Sequence, residues 1–84
     1  MESPNPEYKV GNEYYYVPGY KIQEVTKPNF RWDLWADRGV IHRIEEDRIY
    51  IRFYSRHTGL LGETPQLTPA RYLFNAAAVE YGLI

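Results

Sequence analysis

The sequence predicts a mainly β domain with some helix: a small antiparallel barrel or strongly bent sheet closed by one C-terminal helix. Three observations carry that prediction. Residues 38–54, RGVIHRIEEDRIYIRFY, alternate apolar and polar side chains on both sides of a charged turn. The run Tyr14-Tyr15-Tyr16-Val17 supplies a second stretch of strand formers. From Thr68 onward the pattern becomes helical, behind a threonine suited to cap and a proline suited to the first turn.

In chain order, residues 1–9, MESPNPEYK, carry two prolines among polar residues and read as a flexible arm, leaving residues 10–84 as a single domain. A chain of 84 residues buries roughly 60 to 65 percent of its unfolded surface, so most large apolar side chains must go inside. Val10-Gly11-Asn12-Glu13 is a turn into the tyrosine run, which Pro18-Gly19 interrupts before a further extended piece from Tyr20 to Val25. Lys27-Pro28-Asn29-Phe30 opens a long loop, in which Trp32 and Trp35 stand three apart, as on one face of a short helical turn.

The central hairpin is expected to pair Ile44 with Ile49, His42 with Ile51 and Val40 with Phe53 on its core face. Ile41, Arg43, Tyr50, Arg52 and Tyr54 then share the other face. The acids Glu45, Glu46 and Asp47 lack the Asn-Gly or Asp-Gly of a tight turn, so a four-residue loop on a type I turn is expected. The turn-rich residues 55–59 and 62–65 enclose Leu60-Leu61, a very short strand or a loop anchor. Thr68 as N-cap and Pro69 in the first turn start a helix that runs through Tyr81. Gly82 is its left-handed cap, and Leu83 supplies the accompanying apolar contact. The expected core is Val40, Ile44, Ile49, Ile51, Phe53, Leu73 and Ala77.

The stretches VGNEYYYV at Val10 to Val17 and RGVIHRIEEDRIYIRF at Arg38 to Phe53 give the chain a pattern that resembles SH3-like and KOW-type small barrels. The resemblance covers about half the chain. It implies that Phe30 to Asp37 is the long loop of such a barrel, with the C-terminal helix an addition to the simplest version.

Chemistry is poorly supplied. With no cysteine, disulfides, thiolate metal sites and a cysteine nucleophile are excluded. Ser55 and His57 are the one local hydroxyl and base pair, and nothing in the sequence orients the ring. His42 reads as a partly buried core-face histidine. His42, His57 and the hairpin acids have no zinc or calcium spacing, and the six glycines form no phosphate loop. No enzyme activity, metal or cofactor is expected. Neither a basic-then-apolar leader nor an apolar run near ~18 residues occurs, so a soluble, cytoplasmic protein is expected.

Binding remains, and charge orders its two versions. The net charge is −1, yet residues 27–57 hold seven cations against five acids. Arginine outnumbers lysine seven to three beside nine tyrosines and two tryptophans, the residues that hot spots favour. The preferred reading is a non-enzymatic protein-binding module, an adaptor, regulator or small inhibitor of a larger complex. Its contact residues are Trp32, Trp35, Ile41, Arg43, Tyr50, Arg52 and Tyr54. The alternative is a nucleic-acid-binding barrel that meets phosphates through Arg43, Arg52 and Arg56, with Tyr54 as a stacking surface. A local excess of two cations gains little from counterion release, which ranks protein first. The apolar C-terminal helix is also a candidate contact between two copies of the chain.

Overall fold

The structure, a computed structural model, describes residues 8–82. Five strands form one antiparallel sheet: β1 (Glu13–Tyr16), β2 (Asp37–Glu45), β3 (Arg48–Phe53), β4 (Gln66–Thr68) and β5 (Leu73–Asn75). Their order is β4-β3-β2-β1-β5. Two short helices accompany them, α1 (Trp32–Trp35) in the long β1–β2 connection and α2 (Ala76–Glu80) after β5. The domain is thus mainly β with some α and a C-terminal helix, as the patterning predicts.

The connectivity bends the sheet. β4 and β5 are its two edges, yet Pro69 to Tyr72 alone separate them, and Ala70–Tyr72 is a 3-10 turn. The edges of a flat five-stranded sheet stand ~19 Å apart. Five residue steps reach at most ~17 Å fully extended, and a 3-10 turn shortens that further. The sheet therefore curls until its edges approach, and its concave side becomes the core. Tyr14, Ile41, Ile49, Ile51 and Leu73 are buried there, with Tyr8, Tyr16, Ile44, Phe53 and Ala70 packed against them.

The hairpin forms where the alternation puts it, with a different register at one point. Ile44 pairs with Ile49 as expected, but Arg43 pairs with Tyr50 and Ile41 with Ile51, which leaves His42 as the extra residue of a β-bulge. That residue reverses every facing on its N-terminal side. Ile41, expected outside among the contact residues, is 1% exposed in the core. His42, expected on the core face, is exposed, and Val40 is half-buried opposite Arg52 rather than Phe53. The cause is apolar burial: the bulge lets Ile41 join Ile44 inside, where strict alternation would expel it. Glu45 pairs with Arg48, so the turn has two residues instead of four, with Glu46 at φ 56°.

The C-terminal segment departs further. Instead of one helix over residues 68–81, Thr68 is a buried strand residue opposite Ile49, and Leu73, Phe74 and Asn75 pair with Tyr16, Tyr15 and Tyr14. Unpaired edges of β3 and β1 offer backbone partners at once, whereas a helix must first close a costly nucleus. Only the alanine-rich end is helical. Asn75, not Thr68, caps it, its Oδ1 accepting from the Ala78 amide at 3.0 Å. Ala76 is buried and Ala77 exposed, the reverse of the expected core assignment. Gly82 does take the left-handed conformation, φ 77°, and its amide donates to Val79. The expected contact of Leu83 lies outside the described residues, as does most of the expected N-terminal arm. Tyr8 belongs to the fold: its ring lies 5.4 Å from that of Tyr14, and its hydroxyl donates to the Ala70 carbonyl.

The long β1–β2 connection covers the convex side of the sheet at the β1–β5 end. The segment expected to extend from Tyr20 is a 3-10 helix, Gly19–Glu24, with Lys21 paired to Glu24 one turn on. Val17, Val25 and Ala36 are buried in a second cluster with Tyr15, Ile22, Phe30, Trp32 and Phe74. Two hydrophobic layers thus clasp β1, one on each face.

Gly39 is where the core allows no side chain. A Cβ there would lie 2.5 Å from Ile51 Cγ2 and 2.8 Å from the Arg52 carbonyl oxygen, the latter being backbone. Gly39→Ala is expected to destabilise the domain by about 1 to 3 kcal/mol, a large share of the total stability of a small fold. Urea unfolding measures it; a midpoint equal to wild type would show that β2 and β3 lie farther apart than described.

Candidate functional site

Beyond the clasp, the convex face of β2, β3 and β4 is open. The register sets Val40 beside Arg52, Arg43 beside Tyr50, and Tyr50 beside Leu67. The Arg43 guanidinium lies 4.0 Å from the centre of the Tyr50 ring while its Nε donates to Glu45 at 2.9 Å. A planar cation stacked on a ring loses little entropy when a partner covers it. Arg52 Nε donates to the Gly62 carbonyl at 2.7 Å, tying the β3–β4 connection to the sheet. Leu67 is 59% exposed at the middle of β4. The strand is bounded by Pro65 and Pro69, which have no amide to give, so its free edge is a poor template for a further strand.

Leu67 also borders a groove. Tyr16, Phe53 and Tyr54 line it together with Leu67 and Pro69, and Arg56 and His57 stand at its margin; its volume is ≈ 480 Å³. A second hollow of ≈ 490 Å³ lies over Asp47, Arg48 and the same Leu67, Thr68 and Pro69. The two hollows share Leu67, Thr68 and Pro69, so Leu67 borders both of them as well as the open face.

The neighbouring charges are mostly engaged with one another. Arg38 Nη2 and Nε both donate to one Glu13 oxygen, the Nε bond at 2.7 Å, and Nη1 stands 3.6 Å from Glu80 of α2. The Tyr54 hydroxyl donates to the other Glu13 oxygen at 2.9 Å. The Arg38 hydrogen bonds hold the Glu13 carboxyl below the usual range, with Tyr54 adding to the effect; the same carboxylate pushes the Tyr54 phenol up. Arg56 spends three donors internally: Nε on Asp37 at 2.8 Å, Nη2 on the carbonyls of Leu34 at 3.0 Å and Ala36 at 2.7 Å. It fastens α1 to the sheet.

The residues singled out in the sequence are thus divided. Arg43, Tyr50 and Arg52 share one face, and Tyr54 stands at the groove beside it. Trp32 is half-buried among aromatic rings, 5.0 Å from Phe30 and 5.4 Å from Phe74, both edge-on. Trp35 is half-buried beneath the Lys21 ammonium, 3.9 Å from its ring centre. Both anchor the long connection, away from Tyr50, while Ile41 is core and unavailable to any partner. The Ser55 hydroxyl accepts from the amides of His57 and Thr58, closing a turn. The sequence reading missed Leu67 and the groove, because Leu67 stood next to an assigned helix start; Gln66-Leu67-Thr68 between two prolines is the signal of a short edge strand. Comparison of the chain with protein-family models, with curated proteins and with solved structures finds no match.

Because the Glu13 carboxyl is lowered in the folded state, its contribution to stability is full above the ordinary glutamate range and disappears as pH falls through the folded value. The raised Tyr54 phenol works oppositely, contributing below the ordinary tyrosine range and losing that contribution as pH climbs through its folded value. Wild type is therefore expected to be more stable than Glu13→Gln between about pH 5 and pH 9, with the gap closing on acidification. Urea unfolding across pH reads the gap; one that persists undiminished at pH 2 contradicts the assigned charge state.

Proposed function

We propose that the domain is a non-enzymatic protein-binding module, an adaptor, regulator or small inhibitor within a larger cytoplasmic assembly, on a curled sheet of the SH3-like kind. Its contact surface is the open face of β2, β3 and β4, formed by Arg43, Tyr50, Arg52 and Leu67 and continued by the groove at Tyr54. The exposure of Leu67 directly opposite Tyr50 carries this reading. A leucine beside a tyrosine already stacked with arginine is a ready centre for an interface: apolar area to bury, rimmed by forked donors.

The nucleic-acid alternative draws less support. Arg56 is committed to Asp37 and two carbonyls, and Arg43 is neutralised by Glu45. What remains is a small excess of charge for a ligand whose affinity comes chiefly from phosphates. Self-association through the C-terminal helix also has little to work with, since α2 spans five residues and its Ala76 already faces inward.

Leu67→Asp and Tyr50→Ala, made singly, are expected to weaken capture of a partner from the source cell by ~2 kcal/mol or more at a hot spot. Their melting temperatures should stay close to wild type. Unchanged capture by both variants removes this face from the function. Unfolding of the Tyr50→Ala domain would instead show that the ring belongs to the fold.

A further inference from the structure

We propose that the partner presents an acidic, apolar-centred segment in extended form, with two carboxylates four residues apart on either side of an apolar side chain. The inference deepens the protein-binding reading and rests on it. Its basis is the spacing of charge on β3. Arg48, Tyr50 and Arg52 alternate with the buried Ile49 and Ile51, so all three project from the convex side. Along a strand, Arg48 and Arg52 are ~13 Å apart, more than a Debye length at physiological salt. They therefore act as two separate positive points.

These two arginines differ from the others near them. Arg43 has Glu45, Arg38 has Glu13 and Glu80, Arg31 has Asp33, and Arg56 has Asp37. Among the described residues no carboxylate forms an ion pair with Arg48 or Arg52. Arg52 meets a neutral carbonyl through Nε, which leaves both of its Nη groups for a forked carboxylate. Glu45 faces Arg48 across the hairpin but is held by Arg43. Glu46 and Asp47 stand at the turn, at the Arg48 end, and Glu63 follows the Gly62 that Arg52 holds; among the described residues none of the three forms an ion pair with either arginine. Between the two arginines lie Tyr50 and Leu67, with Val40 beside Arg52.

An extended segment places alternate side chains on one face. The sequence Glu-x-Phe-x-Glu thus sets its phenyl ring over Tyr50 and Leu67 with a carboxylate at each arginine. Charge complementarity selects this occupant over a basic one. The narrow span, with two unneutralised cations, selects carboxylates at fixed spacing over a phosphate backbone, whose charges recur at every nucleotide.

The probes are the synthetic peptide acetyl-Gly-Glu-Thr-Phe-Thr-Glu-Gly-amide, its counterpart with both glutamates replaced by lysine, and a twelve-nucleotide oligothymidylate. Each is titrated into the labelled 84-residue protein and followed by amide chemical shifts. The acidic peptide is expected to move Arg48, Tyr50, Arg52 and Leu67, with binding that weakens as salt is added, and the lysine peptide is expected to leave them in place. Arg52→Glu should lower affinity at least tenfold. Arg48→Glu, which leaves the hold of Arg52 on Gly62 untouched, should do so as well and should gain affinity for a peptide with lysine at the matching end. No shift with the acidic peptide overturns the proposal, as does tighter binding of the oligothymidylate at the same residues. If the lysine peptide binds this face equally well, the acidic partner is wrong while the protein-binding reading stands. If partner capture is insensitive to Leu67→Asp and Tyr50→Ala, that reading itself fails.

Discussion

Everything on both sides of the sheet depends on the pairing of Ile41 with Ile51 across a bulge at His42. Without the extra residue, Ile41 would point to solvent, and a charged or polar neighbour would point inward, in a domain with no cysteine to make up the loss. With it, Ile41, Ile49 and Ile51 meet Tyr14 and Leu73 under the curled sheet, all five nearly inaccessible to water. Bulges also sharpen local twist, and twist is what a chain needs when four residues must link its two sheet edges. Gly39 follows from the same closeness, since β2 passes Ile51 and the Arg52 backbone with no room for a methyl group.

The convex face is a consequence of what the concave face takes. Every second residue of β3 goes in, so Arg48, Tyr50 and Arg52 come out, and β2 and β4 contribute Arg43 and Leu67 beside them. At the β1–β5 end the same convex side is sealed by Trp32, Phe30 and Phe74 around Val17 and Val25. Arginines serve both halves differently. Arg56 and Arg38 act as fasteners, joining α1 and α2 to the sheet through carbonyls and carboxylates. Arg52 ties the β3–β4 connection to the sheet through the Gly62 carbonyl, and among the described residues neither it nor Arg48 forms an ion pair.

Much of the fold was legible in the sequence where periodicity is long and burial one-sided. The strands 37–45 and 48–53, the tyrosine strand and the helical turn at Trp32–Trp35 all stand where the pattern put them. A bulge was not legible, because alternation counts residues and cannot show that one has been skipped; His42 and Ile41 changed faces for that reason. The C-terminal helix was overextended because Thr68-Pro69 is good helix-start chemistry that the chain uses instead at the end of an edge strand. Of the proposed surface, Arg43, Tyr50 and Arg52 were visible as one stripe. Leu67 was not, since a three-residue strand carries almost no periodic signal and is decided by the neighbour it pairs with.

The division between a core-facing Ile41 and an open Leu67 is tested most directly by NMR in the presence of a soluble paramagnetic agent, which broadens the methyl resonances it can approach. The structure, with Ile41 at 1% exposure and Leu67 at 59%, predicts that the Ile41 methyl groups stay as sharp as those of Ile51 while the Leu67 methyl groups are lost early. Broadening of Ile41 to the extent of Leu67 would contradict it: β2 would then have no bulge, and the face assigned to Arg43, Tyr50, Arg52 and Leu67 would not exist in that form.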